Sequence, residues 1–254
     1  MDFSEYKERE ELEKIRLAKL GDIPAQVTLF FWYWYGYDDY RISVDRPKAL
    51  YWKNKIEVSA RHGDRVAMGI VGRCHKKYIE IGEYDTSIPL MFDENFSEQC
   101  YHQIIAEAKD ENPQSLLGAY QLLGDNEESF GFLCRSAELG NGEACFELAQ
   151  LYSFMRLSDS DSIGIWKREK YGVSHCVDLD SEILKWSTKG SRIMSIKQDG
   201  CFYMLACEYY QIAEKNPNPT PSAFEESLYC MELSASLGNL EAEVALEHWY
   251  GYQL

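Results

Sequence analysis

Residues 137–152 and residues 235–250 match one another at an offset of 98 residues, and this self-similarity restricts the fold more than any other feature of the chain. Eight of the sixteen positions are identical: Ala137, Leu139, Gly140, Asn141, Glu143, Ala144, Leu148 and Tyr152 recur as Ala235, Leu237, Gly238, Asn239, Glu241, Ala242, Leu246 and Tyr250. A third copy opens at Ala18, Leu20, Gly21, Asp22 and Ala25, and its end, Trp34, Tyr35, Gly36 and Tyr37, matches Trp249, Tyr250, Gly251 and Tyr252 with a two-residue slip. Weaker copies of the Gly-Asp corner stand at Gly63 with Asp64 and at Gly124 with Asp125, and Leu117, Gly118 and Tyr120 read as part of another first helix. Self-similarity at irregular spacing points to a series of stacked supersecondary units.

Each unit has a physical logic. Glycine directly after an apolar helix supplies the left-handed residue that ends it, and the Asn or Asp that follows caps the next helix. Alanine on either side of the turn, as at Ala137 and Ala144, lets the two helices approach closely, while Leu148 and Tyr152 continue the inward stripe at i+4 spacing. One such pair cannot bury its own apolar face; stacking neighbouring pairs does.

These residues resemble the Sel-one-like repeat family, relatives of the tetratricopeptide repeats. Val44, Asp45, Lys48, Ala49 and Trp52 look like that family's second-helix start, as do Val177, Asp180 and Trp186, whereas Phe132 and Cys230 stand where the family has Trp eight residues before the glycine. The resemblance implies an all-α fold, an alpha-solenoid of antiparallel helix pairs in a right-handed superhelix whose concave face binds peptides or proteins. On that reading residues 1–254 form a single solenoid, with an N-terminal capping helix at 1–17, clearest repeats at 18–63 and 106–254, a degenerate repeat at 64–105 and an inserted loop at 153–176. Residues 216–222, with three prolines, are expected to connect helices rather than lie inside one.

Charge narrows the partner. The chain carries 26 Lys/Arg and 42 Asp/Glu, a net charge of −16. That argues against nucleic acid or an anionic bilayer, which need clustered cations, and for a partner with a basic surface. The imbalance is regional: residues 1–92 hold 15 basic and 15 acidic groups, residues 93–155 hold 2 and 12, and residues 200–254 hold 1 and 8. No stretch reaches the roughly 20 apolar residues of a membrane span. The N-terminus, dense in Glu, Lys and Arg, lacks the apolar core of a secretory signal, so the expected location is cytoplasmic, with the eight cysteines reduced.

Chemistry-bearing motifs are absent. Cys74 with His75, Cys100 with His102 and His175 with Cys176 do not form paired zinc-ligand spacings. Phosphate loops, dinucleotide fingerprints and nucleophile elbows are missing too, so neither an enzyme nor a bound cofactor or metal is expected.

The aromatic run from Phe30 to Tyr37 is too long for one buried helical stripe, so some rings must face outward, where they suit an interface anchor. Trp166, beside Lys167, Arg168 and Lys170 in the inserted segment, is a second candidate anchor. The expected partner-binding residues are therefore Tyr35, Tyr37, Asp38, Asp39, Tyr40, Glu107, Asp110, Glu111, Asp125, Glu127, Glu128 and Trp166. The function they imply is protein binding, in the sharper form an inhibitor or immunity protein that neutralises a basic toxin or effector. The alternative is an adaptor or regulator in a signalling or stress pathway.

Overall fold

The computed structural model describes residues 3–37, 42–75, 92–157, 162–174, 176–215 and 221–250. Among these it has thirteen helices and no strand: α1 (Phe3–Lys19), α2 (Ile23–Tyr35), α3 (Arg46–Arg61), α4 (Arg65–His75), α5 (Glu94–Lys109), α6 (Pro113–Leu123), α7 (Glu127–Glu138), α8 (Gly142–Leu157), α9 (Ser162–Lys170), α10 (Leu179–Ser191), α11 (Gln198–Lys215), α12 (Pro221–Ser236) and α13 (Leu240–Tyr250). They fall into two compact units, Met1–Gly124 and Asp125–Leu254. The first packs α1 on α2, α2 on α3, α3 on α4, and α4 on both α5 and α6. The second packs α7 and α10 on α8, α10 on α11, α11 on α12, and α12 on α13. This is the helix-pair repeat architecture that the self-match predicts.

Four corners are built identically. Gly21, Gly63, Gly140 and Gly238 have φ of 100°, 87°, 92° and 90°, a region that L side chains avoid. The next residue, Asp22, Asp64, Asn141 or Asn239, donates its N–H to the carbonyl five residues back, that of Leu17, Ser59, Ser136 or Ser234, at 3.0–3.1 Å. The same side chain then accepts the N–H of Ala25, Ala67, Ala144 or Ala242. One residue thus ends the first helix and caps the second, each cap contributing about 1 kcal/mol. The alanines three residues before the glycine and three after the cap place methyl groups where the helices cross. Ala18, Ala60, Ala67, Ala137, Ala144 and Ala242 are all buried.

A fifth corner lies hidden between α5 and α6. Glu111, the sole non-glycine residue with positive φ (57°) among those described, takes the glycine's place, and Asn112 caps α6 through the N–H groups of Gln114 and Ser115. Gly124 with Asp125 is not such a corner: Gly124 ends α6 and the chain passes on to Asn126, the cap of α7. The boundaries at 63/64 and 105/106 therefore cut through a corner and through α5, and the segment read as degenerate supplies α4 and most of α5. Leu117, Gly118 and Tyr120 lie on α6, which follows its corner, whereas the Trp52 and Trp186 helices, α3 and α10, precede their turns. Both placements reverse the order expected from the sequence.

The inserted segment is not all loop. Helix α8 continues to Leu157, and α9 packs against it. Gly172 (φ 66°) and the Val173 N–H bonded to the Arg168 carbonyl at 2.9 Å close α9 with the same local chemistry as the corners. Tyr171 is buried against Phe130 and donates to Asp125 at 2.6 Å, which anchors the insertion to the start of α7.

Candidate protein-binding surfaces

Helix α12 sorts its residues by face. Ser227, Cys230, Met231 and Ser234 are buried. The two serine hydroxyls donate to the Ala206 and Asp199 carbonyls at 2.8 Å, and Tyr250 donates to Ser227 at 2.6 Å, so small polar side chains let α12 lie close on α11 without unpaired groups. The opposite face carries Glu225, Tyr229, Glu232 and Ser236, all exposed at i, i+4, i+7 and i+11, with Glu226 beside them. Lys215 is the last Lys or Arg in the sequence, and it pairs with Asp180 at 3.5 Å. At the edge of this region Tyr210 stacks on the partly exposed Trp249 at 4.6 Å and meets Phe224 edge-on. Sequence reading passed over this face; the signal was the acid, aromatic, acid stripe at helical spacing in a segment empty of basic residues after Lys215.

In the first unit α2 divides the aromatic run by depth. Leu29, Phe30 and Tyr33 are in the core. Tyr33 donates to Glu11 at 2.7 Å, and burial first, then the Glu11 bond and the Glu11 and Asp45 charges, push its phenol well above the usual range. The outer rings form stacked pairs, Phe31 with Tyr35 at 6.2 Å and Trp32 with Tyr37 at 5.8 Å, leaving Tyr35 53% and Tyr37 38% exposed. A two-way backbone bridge joins Tyr37 and Ile42. The expected anchors Tyr35 and Tyr37 thus stand at the surface. Asp38, Asp39 and Tyr40 lie outside the described residues.

The acids expected to face a partner separate into two kinds. Glu107 is held internally: it accepts from Arg65 at 2.6 and 3.0 Å, from Ser115 at 2.7 Å and from Gln103 at 2.8 Å, tying α4, α5 and α6 together. Partial burial pushes its carboxyl up, but the Gln103 and Ser115 bonds and the Arg65 charge outweigh it and hold the pKa below the usual range. Asp125 is held by Tyr171. Both carboxylates therefore act as struts inside the fold, Glu107 through four hydrogen bonds and the exposed Asp125 through the Tyr171 hydroxyl. Glu111 is the left-handed corner residue and Asp110 caps α5; both are exposed, as are Glu127 and Glu128 in the first turn of α7, where acids complement the helix dipole. Trp166 is helical rather than in a loop, 48% exposed, with the Lys170 ammonium 4.3 Å from its ring centre.

A cleft of about 550 Å³ beside α9 is lined by Arg156, Arg168, Lys215, Asp178 and Asp180. Arg156 reaches Asp180 at 2.9 Å and the buried Glu208 at 2.7 Å, linking α8, α10 and α11, and Lys215 reaches Asp180 at 3.5 Å. Cys176 is exposed, and the other seven thiols are buried or partly buried. Burial pushes Cys74, Cys100, Cys134, Cys145 and Cys230 to about 11 and Cys207 to about 12, so none of these six is a thiolate near neutral pH. Among the described residues no group of three or more His, Cys, Asp or Glu is placed to hold a metal ion, and no helix is long and apolar enough to cross a membrane.

No family model matches the chain, and no curated protein matches it. Among solved structures it is similar to the crystal structure of a Sel1 repeat protein from Oxalobacter formigenes, at 15% identity over 98% of this chain and 83% of that one, with a TM-score of 0.27. That protein bears the name of the family the corner residues resemble, but the two superpose too loosely for the match to bear on the fold, which rests on the five corners of this chain.

Proposed function

We propose that this chain is a protein-binding scaffold that captures a basic protein partner, acting as an inhibitor or immunity protein. The observation that carries the reading is the outward face of α12, where Glu225, Glu226, Tyr229 and Glu232 are exposed in a segment whose last cation, Lys215, is engaged by Asp180. Acidic groups around an aromatic anchor suit a cationic surface: the field accelerates encounter, and close charge pairs slow dissociation. Corners and crossings occupy the backbone and the small residues, leaving the outer helix faces for recognition.

The test is affinity capture of the full chain from its native cells at low and high salt, with identification of what elutes. One predominant basic protein is expected, bound at low salt and weakened at high salt. The Glu225→Lys, Glu226→Lys, Glu232→Lys variant is expected to bind it about 10- to 100-fold more weakly. Absence of a stoichiometric partner at either salt would overturn the reading, and a partner indifferent to the triple reversal would remove α12 from it.

A further inference from the structure

We propose that the outward face of α3 is a docking surface for a second copy of this chain, which it engages through that copy's acidic α12 face. The inference goes beyond the capture of a basic protein and does not depend on it.

Helix α3 has two apolar sides. Ala49, Trp52, Ile56 and Ala60 are buried at i, i+3, i+7 and i+11, the pattern of a helical face turned to the core. On the other side Tyr51 and Val58, at i and i+7, stand beside Leu50, and the three are 51%, 49% and 45% exposed. A helix with apolar groups on both sides is ordinarily covered on both, and large apolar side chains gathered on one outward face mark a contact surface.

Charge selects what covers it. In a chain of net charge −16, α3 carries five Lys or Arg and a single acid, Glu57. Arg61 is engaged by Glu57 at 2.7 Å, Lys48 by Asp45 at 3.4 Å, and Arg46 lies over the Trp34 ring. Lys55 is exposed one turn after Tyr51, its ammonium 5.6 Å from that ring centre, and forms no ion pair among the described residues.

Helix α12 is also sixteen residues long and carries three Glu and no Lys or Arg. Its Tyr229 is 58% exposed, with the exposed Glu225 and Glu226 one turn before it. The two faces are therefore complementary: Tyr229 of one copy packs on Leu50, Tyr51 and Val58 of the next, and Lys55 meets Glu225 and Glu226. Because the two surfaces differ, the contact runs head to tail and builds rings or open chains of copies.

The experiment is sedimentation equilibrium of the full chain at increasing protein concentration, at low and at high salt. At low salt the average mass is expected to climb above that of one chain as concentration rises, and at high salt to fall back towards it. Lys55→Glu and the Glu225→Lys, Glu226→Lys variant should each weaken self-association about tenfold or more. An equimolar mixture of the two should restore it, because each altered face then meets its opposite, and recovery on mixing separates a lost contact from a lost fold. Tyr51→Ser should weaken association with helix content unchanged by circular dichroism. A mass equal to one chain at every concentration would overturn the proposal, as would association that Lys55→Glu leaves intact or that mixing does not restore. If copies associate in this way but no basic protein is captured from the native cells, the docking surface stands and the inhibitor reading falls. If α12 captures a basic protein while the chain alone never exceeds the mass of one copy, the inhibitor reading stands and the docking surface falls.

Discussion

Each unit brings helices into close approach through glycine, but what the glycine meets differs. In the first unit α4 crosses α6 backbone on backbone: a methyl group at Gly118 would run into the Arg65 carbonyl, and one at Gly69 into the Gly118 carbonyl. In the second unit the crossing residues meet side chains, Gly190 against Cys201 Sγ and Gly200 against the Phe146 ring. Backbone held in two helices cannot yield, whereas a thiol or a ring can turn or be trimmed. A mid-helix glycine looks the same in both sequences, so its tolerance is decided by the neighbour across the crossing.

The largest effect should come from the backbone crossing. Gly118→Ala is expected to destabilise the first unit by about 3 kcal/mol or more, read as a lowered thermal transition by far-ultraviolet circular dichroism. No trimming of nearby side chains should restore it, because the obstructing atoms are the Arg65 carbonyl group. A Gly118→Ala protein as stable as the parent would erase the distinction between the two crossings.

Gly190→Ala tests the other side. It is expected to cost about 2 kcal/mol, and Cys201→Ala should recover about half of that in the double variant, since removing the thiol leaves Cys201 Cβ at an ordinary 3.4 Å. Recovery is partial because Cys145 Cβ still lies 3.1 Å from the new methyl group. A double-mutant cycle with no coupling would mean that the helices, rather than the thiol, absorb the change.

The same divide between local and distant causes explains what could be read from the chain. Corners at Gly21, Gly63, Gly140 and Gly238 were legible because a left-handed residue and an Asx cap are decided within eight residues of sequence. The corner at Glu111 was not: glutamate there gives no signal of positive φ, and Ser115 replaces the expected alanine. Helix α9, nine residues long and preceded by alternating Ser and Asp, was too short to show a period. Glu107 was recognised as an acid, but its role as a strut depends on Arg65, 42 residues away in sequence. Tyr35 and Tyr37 were placed correctly at the surface, since a run of that many rings exceeds what one buried stripe can hold. The α12 face was missed because its acids were counted as regional charge rather than set on a helix.

Gly131 in α7 gives the smallest predicted effect and the sharpest separation of folding from binding. A methyl group there would meet nothing within 4 Å outside its own helix, and the residue is exposed. Gly131→Ala should therefore stabilise the second unit by about 0.5–1 kcal/mol, the ordinary gain for alanine over glycine in a helix interior, seen as a raised thermal transition. If the stabilised protein also captures its partner unchanged, α7 lies outside the interface and glycine at 131 is incidental. If stability rises while partner affinity falls, the open space above Gly131 is filled in the complex. Glycine would then meet a partner there, a third kind of neighbour beside the carbonyl facing Gly118 and the thiol facing Gly190.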